Sequence, residues 1–319
     1  TTLTFPILTV EKGENATLTA TLTDDNGNII GSNIPVKGTV NGTNVDNFVF
    51  DNENKTFNNV CDKTSVKGNY TITGNYSLAN ACNVTDGVLT VNTIPIKEFI
   101  INITDNVYPN LSGNITILPS NVTGTVTITI NDTKHEPILV NLTNGTWSFT
   151  NMSSGEYNFT FVYSGDDNYS ANSTYRIFNV IKVNSTVNGT IENITYNENA
   201  TVKVNVTGVK GTDLSGNVIV NIQNITGCWN GTVGRDGVGI VNVTGLCAGN
   251  YTAKITYLGN ANYTGSNATV NFAVFKHNST TSASIANITY GENATVNITV
   301  SGVAGTDLSG NVTVTIGQS

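Results

Sequence analysis

Residues able to do chemistry are few and widely spaced in this chain of 319 residues. Its two histidines, His135 and His277, stand far apart, and neither sits in a nucleophile elbow, a metal-ligand spacing or a phosphate-binding loop. His135, in "NDTKHEP", reads as a solvated loop residue ahead of an edge strand. Catalysis therefore has nothing to stand on, and the chain reads as non-enzymatic, with no cofactor and no metal site. The repeated "GTDLSGN" around Asp213 and Asp307 offers a lone carboxylate beside Ser and Asn, which builds a turn more readily than a calcium site. Lys203 and Lys210 suggest an intramolecular Lys–Asn crosslink, but the matching positions of the next repeat are Asn297 and Ala304.

The four cysteines form two groups, Cys61 with Cys82 and Cys228 with Cys247. Three connectivities are open to four cysteines. If the repeats are separate domains, only the Cys61–Cys82 and Cys228–Cys247 pairing keeps each bridge inside one domain. A closed loop of about twenty residues contributes roughly 3 kcal/mol.

Asparagine carries the strongest chemical signal. About thirty Asn-x-Ser/Thr triplets occur, among them Asn15, Asn41, Asn69, Asn114, Asn141, Asn144, Asn188, Asn199, Asn205, Asn262 and Asn293. Each is an acceptor for an N-linked glycan in a chain that passes a glycosylating membrane. A strand with Asn and Thr outward and Val inward writes the triplet automatically, as at Asn205-Val206-Thr207, so geometry inflates the count. Asn is nevertheless depleted in strands, where Thr, Lys or Glu would keep an outer face soluble at lower cost. Its repeated selection points to sugar attachment. Asn144, Asn188 and Asn262, read as turn sites, are better acceptors than mid-strand residues, and Asn293 and Asn297 would crowd one another.

The elements that carry these residues follow from repetition and alternation. "NENATVKVNVTGVKGTDLSGNV" from Asn197 recurs as "GENATVNITVSGVAGTDLSGNV" from Gly291, a period of about 94 residues, or one small domain per repeat. In "ATVKVNVT" the valines fall on one face and Thr, Lys and Asn on the other, which predicts a half-buried strand. Turn residues separate such runs every eight to twelve positions, as in "DDNGN" from Asp24. Some seven short strands in each repeat predict an all-β fold of tandem immunoglobulin-like β-sandwich domains in an extended rod. Three closing segments share Gly-x-Tyr and a second tyrosine six residues on: Tyr70 and Tyr76, Tyr157 and Tyr163, Tyr251 and Tyr257. The first of each pair, Tyr70, Tyr157 and Tyr251, sits where a tyrosine corner requires it, with the hydroxyl turned back to the backbone. Trp147 and Trp229 are read as filling or capping the sandwich core.

These marks divide the chain into a divergent first domain (1–95), a second (96–181), a third (182–276) and the opening part of a fourth (277–319). A half-sandwich exposes its core and edges, so the fourth is expected to be completed by further chain or left poorly ordered. Charged residues make up only 11% and net charge is −8, against about 25% charged in ordinary soluble proteins. Without a Lys/Arg cluster the chain lacks the footprint for nucleic acid or an anionic membrane. No run approaches the ~20 apolar residues of a membrane span.

"YSGDDNY" at Tyr163 to Tyr169 and "YLGNANY" at Tyr257 to Tyr263 resemble the closing signature of the group 3 bacterial immunoglobulin-like repeats, and the surrounding Asn/Thr-rich text resembles adhesin-like surface proteins of methanogenic archaea. The resemblance covers most of the chain from residue 96 and is weaker in the first domain, where "GNYSLANACNVTDG" replaces the signature. It implies an extracellular, cell-surface stalk or filament that displays or attaches. The expected partners are N-linked glycans, neighbouring copies or further repeats of the same protein, and a ligand on a host or partner cell. Carbohydrate or protein binding by the divergent first domain is the alternative.

Overall fold

Alternation is the physical basis of the strands. In Ala200–Thr207 the side chains of Ala200, Val202, Val204 and Val206 are buried, while Thr201, Lys203, Asn205 and Thr207 are exposed, the two-residue period of a sheet with one dry face. The computed structural model describes residues 1–31, 36–62, 64–76 and 82–317, less the side chains of 46 and 47. Among them every regular element is a strand, and no helix is long and apolar enough to cross a membrane. The fold is all-β, a tandem series of immunoglobulin-like sandwiches. Contacts group the chain into two compact units, Thr1–Val180 and Ile181–Ser319. The first two sandwiches thus share one unit, and the third shares the other with a terminal strand pair.

The first sandwich holds β1 (Thr2–Thr4), β2 (Ile7–Glu11), β3 (Ala16–Thr23), β4 (Val36–Val40), β5 (Thr43–Asp51), β6 (Thr56–Cys61), β7 (Gly68–Tyr76), β8 (Asn83–Thr85) and β9 (Gly87–Asn92). They pair in the order β2-β9-β7-β4-β5-β6-β3-β1-β8. Its core packs Leu3, Phe5, Leu18, Leu22, Phe57 and Ile72. The second holds β10 (Glu98–Asp105), β11 (Leu111–Leu118), β12 (Thr125–Ile130), β13 (Ile138–Asn141), β14 (Thr146–Phe149), β15 (Gly155–Tyr163) and β16 (Asn172–Val180). A three-stranded sheet, β10-β11-β14, faces a four-stranded one, β13-β12-β15-β16. Aromatic rings fill the gap: Trp147 and Phe149 of β14 meet Phe159, Phe161 and Phe178 of the other sheet, with ring centroids 5.5–6.1 Å apart. Trp147 is therefore core, while Trp229 of the third sandwich is half-buried.

That third sandwich holds β17 (Thr186–Ile191), β18 (Ile194–Thr195), β19 (Ala200–Thr207), β20 (Gly216–Ile222), β21 (Trp229–Val233), β22 (Val238–Val243), β23 (Gly249–Tyr257) and β24 (Ser266–Phe275). The last two strands, β25 (Thr280–Ile285) and β26 (Val296–Ser301), repeat the β17–β19 register, with Thr280 opposite Ser301 as Thr186 is opposite Thr207. No second sheet faces this pair among the described residues. Val202, Val204 and Val206 are buried, whereas their counterparts Val296, Ile298 and Val300 stay at least partly exposed.

Strand register overturns both expected disulfides, and all four cysteines are free. Cys61 lies opposite Ala16 at one end of β3. Cys82 adjoins Asn83, which pairs with Thr2, and Thr2 pairs with Thr23 at the other end of β3. Seven residues of strand, roughly 23 Å, separate positions that a disulfide needs within about 7 Å. Cys228 precedes Trp229, which is opposite Val220, itself opposite Ile255. Cys247 lies beyond Gly249, the far end of β23, so at least five residues of strand, roughly 16 Å, separate the second pair. Closeness in sequence and membership of one domain did not amount to closeness in space. Thiol titration of the whole chain is expected to find every cysteine free, with Cys228 and Cys247 reacting in the folded protein and buried Cys61 reacting only on unfolding.

Candidate functional site

The repeated polar residues of the chain resolve into hydrogen-bonded corners. Tyr70 donates to the Val66 carbonyl at 2.7 Å, Tyr157 to Ser153 at 3.0 Å and Tyr251 to Cys247 at 2.8 Å. Each phenol thereby anchors the entry to the strand that follows it.

The Tyr-x-Gly-Asp/Asn-x-x-Tyr tracts form two larger constructions. Gly165 and Gly259 take left-handed φ values of +82° and +81°, which disfavour a side chain. A Cβ on Gly259 would also lie 2.5 Å from the Tyr263 carbonyl oxygen. The next residue then caps the turn. Asp166 Oδ1 accepts from Asn168 N and Tyr169 N, both at 2.7 Å. Asn260 Oδ1 does the same for Asn262 N at 2.8 Å and Tyr263 N at 3.0 Å.

The other half of each side chain reaches the loop between β11 and β12 in the second sandwich, or between β19 and β20 in the third, with opposite polarity. Asp166 Oδ2 accepts from Thr123 N and Thr123 Oγ1, at 3.0 and 2.8 Å. Asn260 Nδ2 instead donates to the carbonyls of Asp213 and Ser215, at 3.1 and 3.0 Å. Tyr257 and Tyr263 fasten the same loop, through the Leu214 carbonyl at 3.0 Å and through Val209 N at 2.8 Å, with Thr212 Oγ1 in a further short bond to Tyr263. Asp213 accepts from Ser215 N and Asp307 from Ser309 N, so both carboxylates are engaged in turns. Burial pushes the Asp166 carboxyl upward, but its four donors prevail and hold it at about 2. Burial and the nearby Asp166 carboxylate raise the Tyr163 phenol.

Each signature also grips the lead-in of its own sandwich. Ile94 N donates to Asn168 O and accepts from Ser170 N at its carbonyl, at 2.8 and 2.9 Å; Val183 repeats this with Asn262 O and Thr264 N, at 3.1 and 3.0 Å. A lysine tops each turn. Lys12 of the first sandwich reaches Asn168 Oδ1 at 2.5 Å and Asp167 O at 3.3 Å, and Lys182 reaches Asn260 O at 2.7 Å.

Of the acceptor asparagines, Asn15, Asn41, Asn69, Asn114, Asn141, Asn144, Asn188, Asn199, Asn205 and Asn293 are exposed, and Asn262 is half-buried. Asn144 lies in a turn. Asn188 does not: it sits within β17, directly opposite Asn205 of β19. Asn262 is built into the signature turn, and Asn41, at φ +47°, uses its amide oxygen on Thr71 N at 2.8 Å. His135 is also not solvated. Its side chain is 11% exposed, with Nδ1 2.7 Å from Asp132 Oδ2 and the ring edge-on to Phe149. Lys203 and Lys210 are exposed and so stand outside the core that a buried crosslink needs. In the divergent stretch of the first domain, residues 77–81 lie outside the described residues, and Asn83–Thr85 forms β8, parallel to β1.

No protein-family model matches the chain, and neither does any curated protein. Similar solved structures include a segment of two fibronectin type-III domains from chicken tenascin, at 12% identity and TM-score 0.39, covering 56% of this chain and 99% of that one. Titin domains A168–A170 are similar at 11% identity and TM-score 0.28, covering 85% and 97%. Domains FN1–FN3 of chicken CNTN1 are similar at 8% identity and TM-score 0.26, covering 85% and 99%. The sandwich assignment rests on the strand order and register described above.

The opposite polarities of Asp166 and Asn260 give a paired prediction. Asp166→Asn removes an acceptor from Thr123 and is expected to destabilise the second sandwich by about 1–2 kcal/mol at pH 7. The wild-type carboxylate has a depressed folded pKa, so its contribution is full above about 4 and is lost as pH falls through about 2. The deficit should therefore vanish near pH 2. Asn260→Asp points a carboxylate at two carbonyls and should cost the third sandwich about 2–3 kcal/mol at pH 7, less in acid. Urea unfolding followed at both pH values measures each effect.

Proposed function

We propose that this chain is a non-catalytic, extracellular structural protein: a repeat stalk of a cell-surface adhesin or surface filament, N-glycosylated on its exposed strand faces. The observation that carries this reading is the signature turn, which makes the lead-in residue part of the sandwich it introduces. Thr93 alone stands between β9 and the gripped Ile94, and Ile181 with Lys182 between β16 and the gripped Val183. Within the first unit, a connection of one residue between its two sandwiches leaves little slack, which supports spacing and display over freely linked modules. The low charge of the chain, 11% of its residues, adds to it, since faces written mostly in Asn and Thr suit a sugar-bearing exterior.

The resemblance to group 3 repeats and to surface proteins of methanogenic archaea belongs to this reading. So do the cell-surface location and the partners: N-linked glycans, neighbouring copies or further repeats, and a ligand on a host or partner cell. Dense sugars would hydrate the strand edges and shield them from aggregation.

Register sets a limit on occupancy. Directly opposed residues in an antiparallel pair have Cβ atoms about 4.5–5.5 Å apart, too close for two glycans on Asn188 and Asn205. Glycopeptide mass spectrometry of protein from its native source should find sugar at exposed sites such as Asn144. It should find Asn188 or Asn205 modified, never both on one peptide spanning them. Bare asparagines throughout would contradict the glycosylated-stalk reading.

A further inference from the structure

The three sandwiches differ in how their entering and leaving segments are joined. In the first, β2 and β9 run parallel from the pair Ile7–Val88 to the pair Glu11–Asn92. That ladder is closed by Val88 N donating to the Pro6 carbonyl at 3.0 Å and Lys12 N to the Asn92 carbonyl at 2.8 Å. In the third, the strap is β18 against β24, also parallel, with Ile194 opposite Val274 and Thr195 opposite Phe275. Tyr196 N extends it to the Phe275 carbonyl, and Asn193 Oδ1 accepts from Ala273 N, both at 2.8 Å.

The second sandwich has no such strand pair. Counting back from the first residues of β3, β19 and β11, the strap residues Val10-Glu11 and Ile194-Thr195 correspond to Asp105-Asn106. Asp and Asn are depleted in strands, and Asp105 Oδ1 accepts from Val107 N at 3.0 Å, ending β10 in a turn. Val107 is left as an isolated bridge residue, and Asn106 Nδ2 reaches the Asn179 carbonyl of β16 at 3.1 Å. No ladder joins β10-β11-β14 to β13-β12-β15-β16. The two sheets are held chiefly by the aromatic rings between them.

This difference matters when the chain is pulled from its ends. Tension draws the entering segment of a sandwich backward and the leaving strand forward. Where the two are parallel and paired, one must slide along the other, and every bond of the ladder is loaded at once. Where no ladder joins them, the load falls on side-chain packing, which is non-directional. The grip on Ile94 and on Val183 is common to the second and third sandwiches, so it does not separate them.

We propose that the second sandwich is the yielding element of the stalk: under tension it opens first and lets out length, while the strapped first and third stay folded. The inference rests on the stalk reading and names the part that gives. Unravelled, residues 94–180 reach roughly 300 Å, against roughly 30 Å for one folded strand length. The placement of thiols fits this role. None of the four cysteines lies in the second sandwich, so its opening exposes no thiol to oxidation and it can refold unaltered. Buried Cys61 lies in the sandwich with the longest strap.

Single-molecule force spectroscopy of the whole chain, held at its two ends, tests this. A Gly/Ser insertion of about 20 residues after exposed Glu136 marks the second sandwich by lengthening its step roughly 70 Å, and an unchanged unfolding midpoint checks that it still folds. The lengthened step should come first, with an unfolding rate under a given load at least about tenfold above that of either other sandwich. Val10 lies two residues before Lys12, so its N–H faces β9 as that of Lys12 does. Val10→Pro removes this donor and should move one of the two later ruptures to lower force. A lengthened step that comes last, or at random among the three, overturns the proposal. So does a folded Val10→Pro chain whose later ruptures are both unchanged. The order of rupture decides even where the proline variant does not fold. Failure here leaves the stalk reading standing, because glycan occupancy is read independently.

Discussion

The arrangement depends on one side chain in each signature turn. Asp166 in the second sandwich and Asn260 in the third pull three otherwise separate pieces together: their own tight turn, the loop after β11 or β19, and, through the turn's backbone, the lead-in at Ile94 or Val183. A side chain with two polar heavy atoms on one planar group suits this, because one atom can cap the turn while the other addresses the loop. The glycine before it supplies the left-handed backbone that brings the cap into reach. Removing the cap would leave backbone N–H groups of a partly buried turn without partners, a cost comparable to that of a lost buried hydrogen bond.

Much of the fold was legible because sheets write a two-residue period. The valines of Ala200–Thr207, the turn glycines and the long period separated strands, turns and modules. The Gly-x-Tyr spacing located the three tyrosines whose hydroxyls return to carbonyls four residues upstream. Other features depend on register, which a linear pattern does not carry. The cysteines looked paired because they share a domain, yet β3 and β23 hold their levels far apart. Asn188 looked like a turn residue because Gly189 follows it, but β17 runs straight through both. His135 looked solvated in a polar loop, yet Asp132 folds it down onto Phe149.

The signature's polarity switch was likewise hidden in a one-letter difference. Asp and Asn are interchangeable as turn caps, so Tyr-x-Gly-Asp and Tyr-x-Gly-Asn read as one motif. The loop each faces decides between them: donors on Thr123 call for a carboxylate, carbonyls on Asp213 and Ser215 call for an amide. The same scaffold varies its outer faces more freely. Inward positions keep Val, Ile, Phe and Tyr, while outward positions range from Asn and Thr to Leu, Tyr and Ile without disturbing the register.

The central claim is that each lead-in belongs to the sandwich that follows it. Native-state amide hydrogen exchange at Ile94, Ser170, Val183 and Thr264 tests it most directly. If the claim holds, these amides are protected and open with the same free energy as the core strands β15 and β23, because the signature turn and its sandwich unfold together. Exchange at the rate of an unstructured linker, with β15 and β23 still protected, would contradict it.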